Sequence, residues 1–263
     1  MSTVDREVVL EALSALTGFT VKTFSANSSF AEKSRLKSAK TLDAGPQLDI
    51  YNLITTALLG QNVVTTKAAV QSYSLRTDLS KEIFVNMDEF FDPRFDHDFT
   101  HLTDTSVCMR GNEPYKRPCG WNRIALKVLN KYTDGNTWLG TDGWRQDSVA
   151  GEWPVSYHGT SIEGAIGISG SSYKPGPGQV YGRGIYSTYD IEQASGYSKE
   201  FISKKTGKKY RVLMQNRINP QNRKVCDRKD YWLIEIPECT SPVKEREIVE
   251  KSIRPYGILL KQV

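Results

Sequence analysis

The sequence predicts an α+β fold built on a mostly antiparallel sheet. Three observations carry the prediction. Several short segments alternate apolar and polar residues with a period of two, as strands do. Fewer segments carry helical spacing, and these do not alternate regularly with the strands, which argues against a doubly wound parallel sheet. Hydrophobic residues make up 38% of the 263 and charged residues 25%, the composition of an ordinary globular chain.

The elements follow in chain order. Residues 4–16 have helical periodicity through Val8, Leu10, Leu13 and Leu16. The Ser/Lys-rich stretch SANSSFAEKSRLKSAK reads as a linker or loosely held region. LDIYNLITTALLG is a second helix candidate and far too short to span a bilayer. Residues 1–83 are therefore expected to form an N-terminal extension, helical or partly disordered. Residues 84–263 are expected to form the main domain. Within it DPRFDHDFTHLTD reads as a surface loop. RIALKV sets Ile124, Leu126 and Val128 against Arg123 and Lys127, a half-buried strand. Asp134-Gly135 is a hairpin turn signal. WPVSYH, KYRVLMQNRI, DYWLIEI and YGILLKQV are the later strands, and SKKTGKKYR is a solvated hairpin tip. Helices are expected over residues 161–168, 191–202 and roughly 243–252, the last opened by Ser241-Pro242 and stopped before Pro255.

Charge and composition narrow the function classes. The 35 basic and 30 acidic residues are interspersed, so the net +5 permits an anionic partner without requiring one. Cys108, Cys119, Cys226 and Cys239 show no CxxC spacing. The start MSTVDREVVLEAL is acidic and amphipathic, unlike a secretory signal. A cytoplasmic location with free thiols is expected, a nuclear one being compatible, and no membrane partner. His97 and His101 lack cysteine partners at ligand spacing, so no metal is expected.

The chemistry concentrates in three segments. In YHGTS, His158 ends an alternating strand and Gly159 lets a ligand approach the backbone, with Thr160 following. In YGRGIYSTYDIEQASGYSKEF, Gly182-Arg183-Gly184 precedes Tyr186, and Tyr197 comes 11 residues later. The third is DYWLIEI followed by IRPYGILLK. A histidine of this kind can equally be a satisfied strand-end residue. Tyr197 can be core packing beside Ala194 and Phe201 on one helical face. Arg183 reads equally as a turn charge or as a ligand for a diphosphate.

In order and spacing these segments resemble the catalytic domain of the poly(ADP-ribose) polymerase-like, diphtheria-toxin-type ADP-ribosyltransferases, over roughly residues 115–263. The resemblance implies a split antiparallel β-sheet with flanking helices that binds NAD as co-substrate. It assigns His158 to the adenosine ribose, the Gly159 backbone to the nicotinamide amide, and Tyr186 and Tyr197 to the two faces of the ring. Thr160, Arg183 and Gly184 fall in the same NAD-binding motifs. YKPGPGQVYGRG reads as a loop over the NAD, not as a phosphate fingerprint.

Two departures matter. The family opens its third motif with a catalytic glutamate, where this chain has Asp230. Some members place a serine three residues before the second tyrosine, where this chain has Ala194; Ser195 faces elsewhere on a helix. Glu235 is a further candidate acid. Glu245, Glu247 and Glu250 lie on the helix after Pro242 and read as a solvated charged face. A missing glutamate often accompanies mono-ADP-ribosylation in the family, so single transfers to a protein acceptor, with release of nicotinamide, are the favoured expectation. The alternatives are a catalytically inactive NAD- or ADP-ribose-binding module, a nucleic-acid acceptor, or an RNA 2′-phosphotransferase. The sequence leaves oligomeric state open.

Overall fold

The computed structural model describes residues 4–23, 50–53, 57, 82–140, 147–159, 181–227 and 230–263. Helix α1, Arg6–Thr17, starts where the Asp5 side chain accepts the Glu7 N–H and ends at Gly18, whose φ of 73° suits a left-handed cap. It buries Val8, Val9, Ala12, Leu13 and Leu16. Strand β1, Thr20–Thr23, pairs in parallel with β2, Glu82–Val85. Helix α2 is Ile50–Leu53, and α3, Met87–Phe90, is capped by Asn86.

The main sheet is antiparallel throughout. Its strands are β3 (His97–Asp98), β6 (Asn122–Ala125), β7 (Val155–His158), β8 (Gly184–Thr188), β9 (Lys199–Ile202), β10 (Lys209–Ile218), β11 (Lys224–Val225), β12 (Tyr231–Glu235) and β13 (Ile253–Gln262). The order across it is β11-β12-β8-β7-β10-β13-β6-β3, with β9 also paired to β10. A separate hairpin joins β4, Cys108–Arg110, to β5, Glu113–Tyr115. Helix α4 is Ile191–Ser195 and α5 is Pro242–Ser252. The chain is thus α+β with a mostly antiparallel sheet. Among the described residues, no helix is long and apolar enough to cross a membrane.

Two features of the sheet position the site. First, β7 meets β8 at one residue pair, Tyr157 with Thr188, so two antiparallel halves touch at a single rung. Second, β10 serves two strands on one edge: residues 209–212 pair with β9, and residues 214–217 with β7. Side chains alternate across β10. Val212, Met214 and Ile218 enter a core shared with α1, α2, Ile234 and Ile258. Leu213 packs on the other face with Tyr157, Ile191, Ala194 and Leu259.

Several expectations change. The helix expected over residues 191–202 stops at Ser195. Gly196 caps it, and Lys199–Ile202 gains more by pairing with β10. Tyr197 is therefore a connecting residue and not a helical one. Asp134-Gly135 turns the chain into a 3₁₀ turn, Thr137–Leu139, instead of a hairpin. The stretch 92–104 contains a 3₁₀ turn, the edge strand β3 and a buried Phe99. Strand β13 begins at Ile253 and takes in Pro255, which sits opposite Asn216 where the register shifts. A bulge is where a residue without an N–H can enter a strand. The boundary expected at residue 83 runs through β2, and α1 packs against the same core as β10 and β13. The 209–218 strand, the 203–208 hairpin tip and the Ser241-capped helix are as expected. The helix expected at 161–168 lies outside the described residues.

Candidate functional site

The site is the corner where β7 and β8 part. His158, the last residue of β7, is half-buried. Its Nδ1 lies 2.6 Å from the Tyr186 carbonyl oxygen, so Nδ1 carries the proton and donates. Desolvation lowers the His158 pKa below 6.5, opposed by hydrogen bonds to the backbone of Tyr186 and of Ala57. The ring is therefore neutral at neutral pH.

Gly159 follows directly. A Cβ there would collide with the Tyr197 carbonyl, so the glycine is what lets the two backbones touch. Tyr197 is 49% exposed, which leaves its ring available at the corner. Its hydroxyl is 3.4 Å from that of Tyr231, the first residue of β12. Tyr186, on β8, donates to the Gly182 carbonyl at 2.7 Å and accepts the Tyr181 N–H at 3.0 Å. Burial raises its pKa, partly offset by the Tyr181 hydrogen bond. The phenol is held by the turn that leads into its own strand.

Asp230 immediately precedes β12, and its carboxylate accepts the Gln193 side-chain amide from α4. Tyr231 pairs with Thr188, and Thr188 pairs with Tyr157. The start of β12 therefore lies on the same rung as the β7–β8 junction. Glu235, paired with Gly184, is at the far end of β12 and bonds Lys224 at 2.9 Å. Glu250 bonds Arg246 at 2.7 Å, and Glu247 bonds Lys244 at 3.2 Å. Of the candidate acids, Asp230 is the one at the junction.

Three residues have structural partners that the sequence did not reveal. Arg183 is not a loose turn charge. Its guanidinium bonds the Glu245 carboxylate and the Pro237 carbonyl, and its side chain is 11% exposed. Glu245 in turn is 4% exposed, not part of a solvated face. Gly184 meets a packing requirement, because a Cβ there would overlap the Ile234 carbonyl on β12. Thr160 lies outside the described residues.

Sequence reading missed Gln193 and Tyr231. Gln193 sits in the second motif, three residues after Asp190, which caps α4 through the Glu192 N–H. It also missed three buried polar side chains on the His158 face. Ser156 lies two residues before His158 on β7, and Asn216 is its partner on β10. Ser187 neighbours Tyr186 on β8. Their side-chain oxygens, and the Asn216 amide nitrogen, have no hydrogen-bond partner among the described residues. Among the described residues no group of three or more His, Cys, Asp or Glu side chains could hold a metal ion. Neither a known family model nor a curated protein matches this sequence.

Proposed function

We propose that the chain is an NAD-dependent ADP-ribosyltransferase that moves single ADP-ribose units from NAD to a protein acceptor. The observation that supports this best is the meeting of all three sequence segments at one corner. His158 is bonded to Tyr186, Gly159 lies against Tyr197, and Tyr197 reaches Tyr231 beside Asp230. The single rung between two antiparallel halves agrees with the split sheet that such a site uses.

In this reading each residue has a physical task. With Nδ1 committed to a carbonyl, the other nitrogen of the neutral His158 ring accepts from a ribose hydroxyl. The Gly159 backbone pairs with the carboxamide, and Tyr186 and Tyr197 present flat faces to the nicotinamide ring. Asp230 faces the positive charge that grows on the ribose as nicotinamide departs with the bonding electron pair, and it orients the acceptor nucleophile that bonds to the same carbon. Gln193 fixes the carboxylate. Aspartate is shorter than glutamate by one methylene, which fits single transfers.

A second reading is an NAD- or ADP-ribose-binding module without turnover. The Ala57 bond to His158 and the Gln193 bond to Asp230 favour it, because both occupy groups that catalysis uses. Nicotinamide release and label transfer from isotopically labelled NAD separate the two. Transfer by the wild type, lost in His158→Ala, Tyr186→Ala and Asp230→Ala, is the expected result. Binding of NAD with neither release nor transfer would replace the enzyme with the module.

A further inference from the structure

The sequence offered Arg183 as the cation for a diphosphate, and the structure commits that guanidinium to Glu245 and the Pro237 carbonyl. A dinucleotide held at His158 would still bring a dianionic diphosphate, and anions in a partly dry corner need a positive partner. Register identifies where one stands. On a single edge of β10, His158 pairs with Met214 and Lys199 with Val212. Residues directly opposite in an antiparallel pair share a face, and positions two apart on one strand share a face as well. Lys199 and His158 therefore project from the same face of the sheet, on either side of the one residue of β10, Leu213, that pairs with neither strand. The contact of Gly159 with the Tyr197 carbonyl closes the same gap from the backbone side.

The chemistry of Lys199 fits a vacant binding role. Its ammonium has no ion-pair or hydrogen-bond partner among the described residues. Its neighbour Glu200 is engaged with Lys209 at 2.5 Å and Arg211 at 2.8 Å. Most of the other basic side chains around this sheet have carboxylates: Lys224 has Glu235, Arg223 has Glu113, and Arg217 has Glu152. Partial burial lowers the Lys199 pKa, the mark of a cation that desolvation penalises without a compensating anion.

We propose that Lys199 binds the diphosphate of the dinucleotide held at His158 and so sets the preference for NAD over its uncharged nicotinamide fragment. This rests on the NAD reading above. The flexible lysine stem reaches past the gap, and the ammonium serves as a point charge on the phosphate oxygens. Nothing covalent is involved.

The test is calorimetric binding of NAD, ADP-ribose and nicotinamide to the full chain as wild type, Lys199→Gln and Lys199→Arg. Thermal melts verify that each variant is folded. The expected result is a loss of about tenfold or more in NAD and ADP-ribose affinity for Lys199→Gln, the scale of one hydrogen bond to a charged group. Nicotinamide affinity stays unchanged, Lys199→Arg falls within a few-fold of wild type, and the salt dependence of NAD binding weakens in the glutamine variant. Equal NAD affinity in wild type and Lys199→Gln would overturn the assignment of Lys199 and leave the NAD reading standing. A wild type that binds neither NAD nor ADP-ribose would overturn both. A loss of equal size for nicotinamide would make Lys199 a structural residue and also sink the proposal.

Discussion

Two polar regions of this molecule are buried in opposite ways. At one end of β10 and β13, Arg217 and Arg254 are almost fully enclosed, with side chains 7% and 6% exposed. Both bring their partners with them. Arg217 bonds Glu152 at 2.9 Å and the Trp153 and Leu139 carbonyls at 2.6 and 2.8 Å. Arg254 bonds both oxygens of Asp134 and lies over Tyr132 and Trp153. At the β7–β8 corner the reverse holds. Among the described residues, Ser156, Ser187 and Asn216 are buried with side-chain atoms that find no partner, and desolvation alone acts on the Lys199 ammonium. Polar groups that serve the fold arrive paired, because an unpaired buried charge costs several kcal/mol. On the binding role proposed above, the polar groups of the corner carry a deficit that a ligand would relieve.

The largest effect is expected where buried charges face each other. Glu152→Ala removes a carboxylate that also draws Arg110 to within 3.4 Å, leaving two cations enclosed. It should destabilise the fold by about 3–5 kcal/mol in urea titrations. A change below about 1 kcal/mol would mean that the pairing is incidental and would erase the contrast.

An intermediate effect concerns pH at the corner. The folded His158 pKa lies below its unfolded value of 6.5. As pH falls through 6.5 the unfolded chain takes up its proton first, so His158 subtracts from stability, until the folded ring also protonates. His158→Gln should abolish that contribution to the acid loss of stability, seen in melts between pH 7.5 and 5. On the proposed NAD role of the neutral ring, NAD affinity should hold through pH 6.5 and fall only below it. A midpoint at or above 6.5 would contradict this.

The smallest effect has the opposite sign. Ser156→Ala replaces a buried hydroxyl that has no partner among the described residues. The fold should be unchanged or more stable by up to about 1 kcal/mol, measured by chemical denaturation. A clear destabilisation would mean that Ser156 already has a structural partner, and the corner would then resemble the Arg217 region.

What the sequence disclosed follows the range of the interactions involved. The strand at 209–218 and the Ser241-Pro242 helix start are local patterns, and both appear where period and capping put them. The fate of residues 196–202 is not local. Their spacing suits a helix, and the competing strand becomes visible only once β10 is beside them. Arg183 and Glu245 are 62 residues apart, so no window of sequence could reveal that each neutralises the other. Motif order stood in for distance at His158 and Tyr186, whose contact runs between β7 and β8, and at Asp230, which precedes the strand paired with β8. Lys199 lay within the second motif yet carried no signal of its own until register aligned it with His158.

The single rung between β7 and β8 has a consequence for how the molecule responds to sequence change. A continuous ladder transmits a shift in one strand to all its neighbours, whereas one rung transmits little. Surface alterations in β11, β12 and β8 should therefore combine almost additively with surface alterations in β10, β13 and β6, whereas core positions such as Ile234 and Met214 share one cluster and should not. The shared core around Ile234 and Met214, the His158–Tyr186 bond and the packing of α4 on Tyr157 are the places where epistasis between the two halves would concentrate. A lineage could thus remodel one wall of the corner while leaving the other wall's stability nearly untouched.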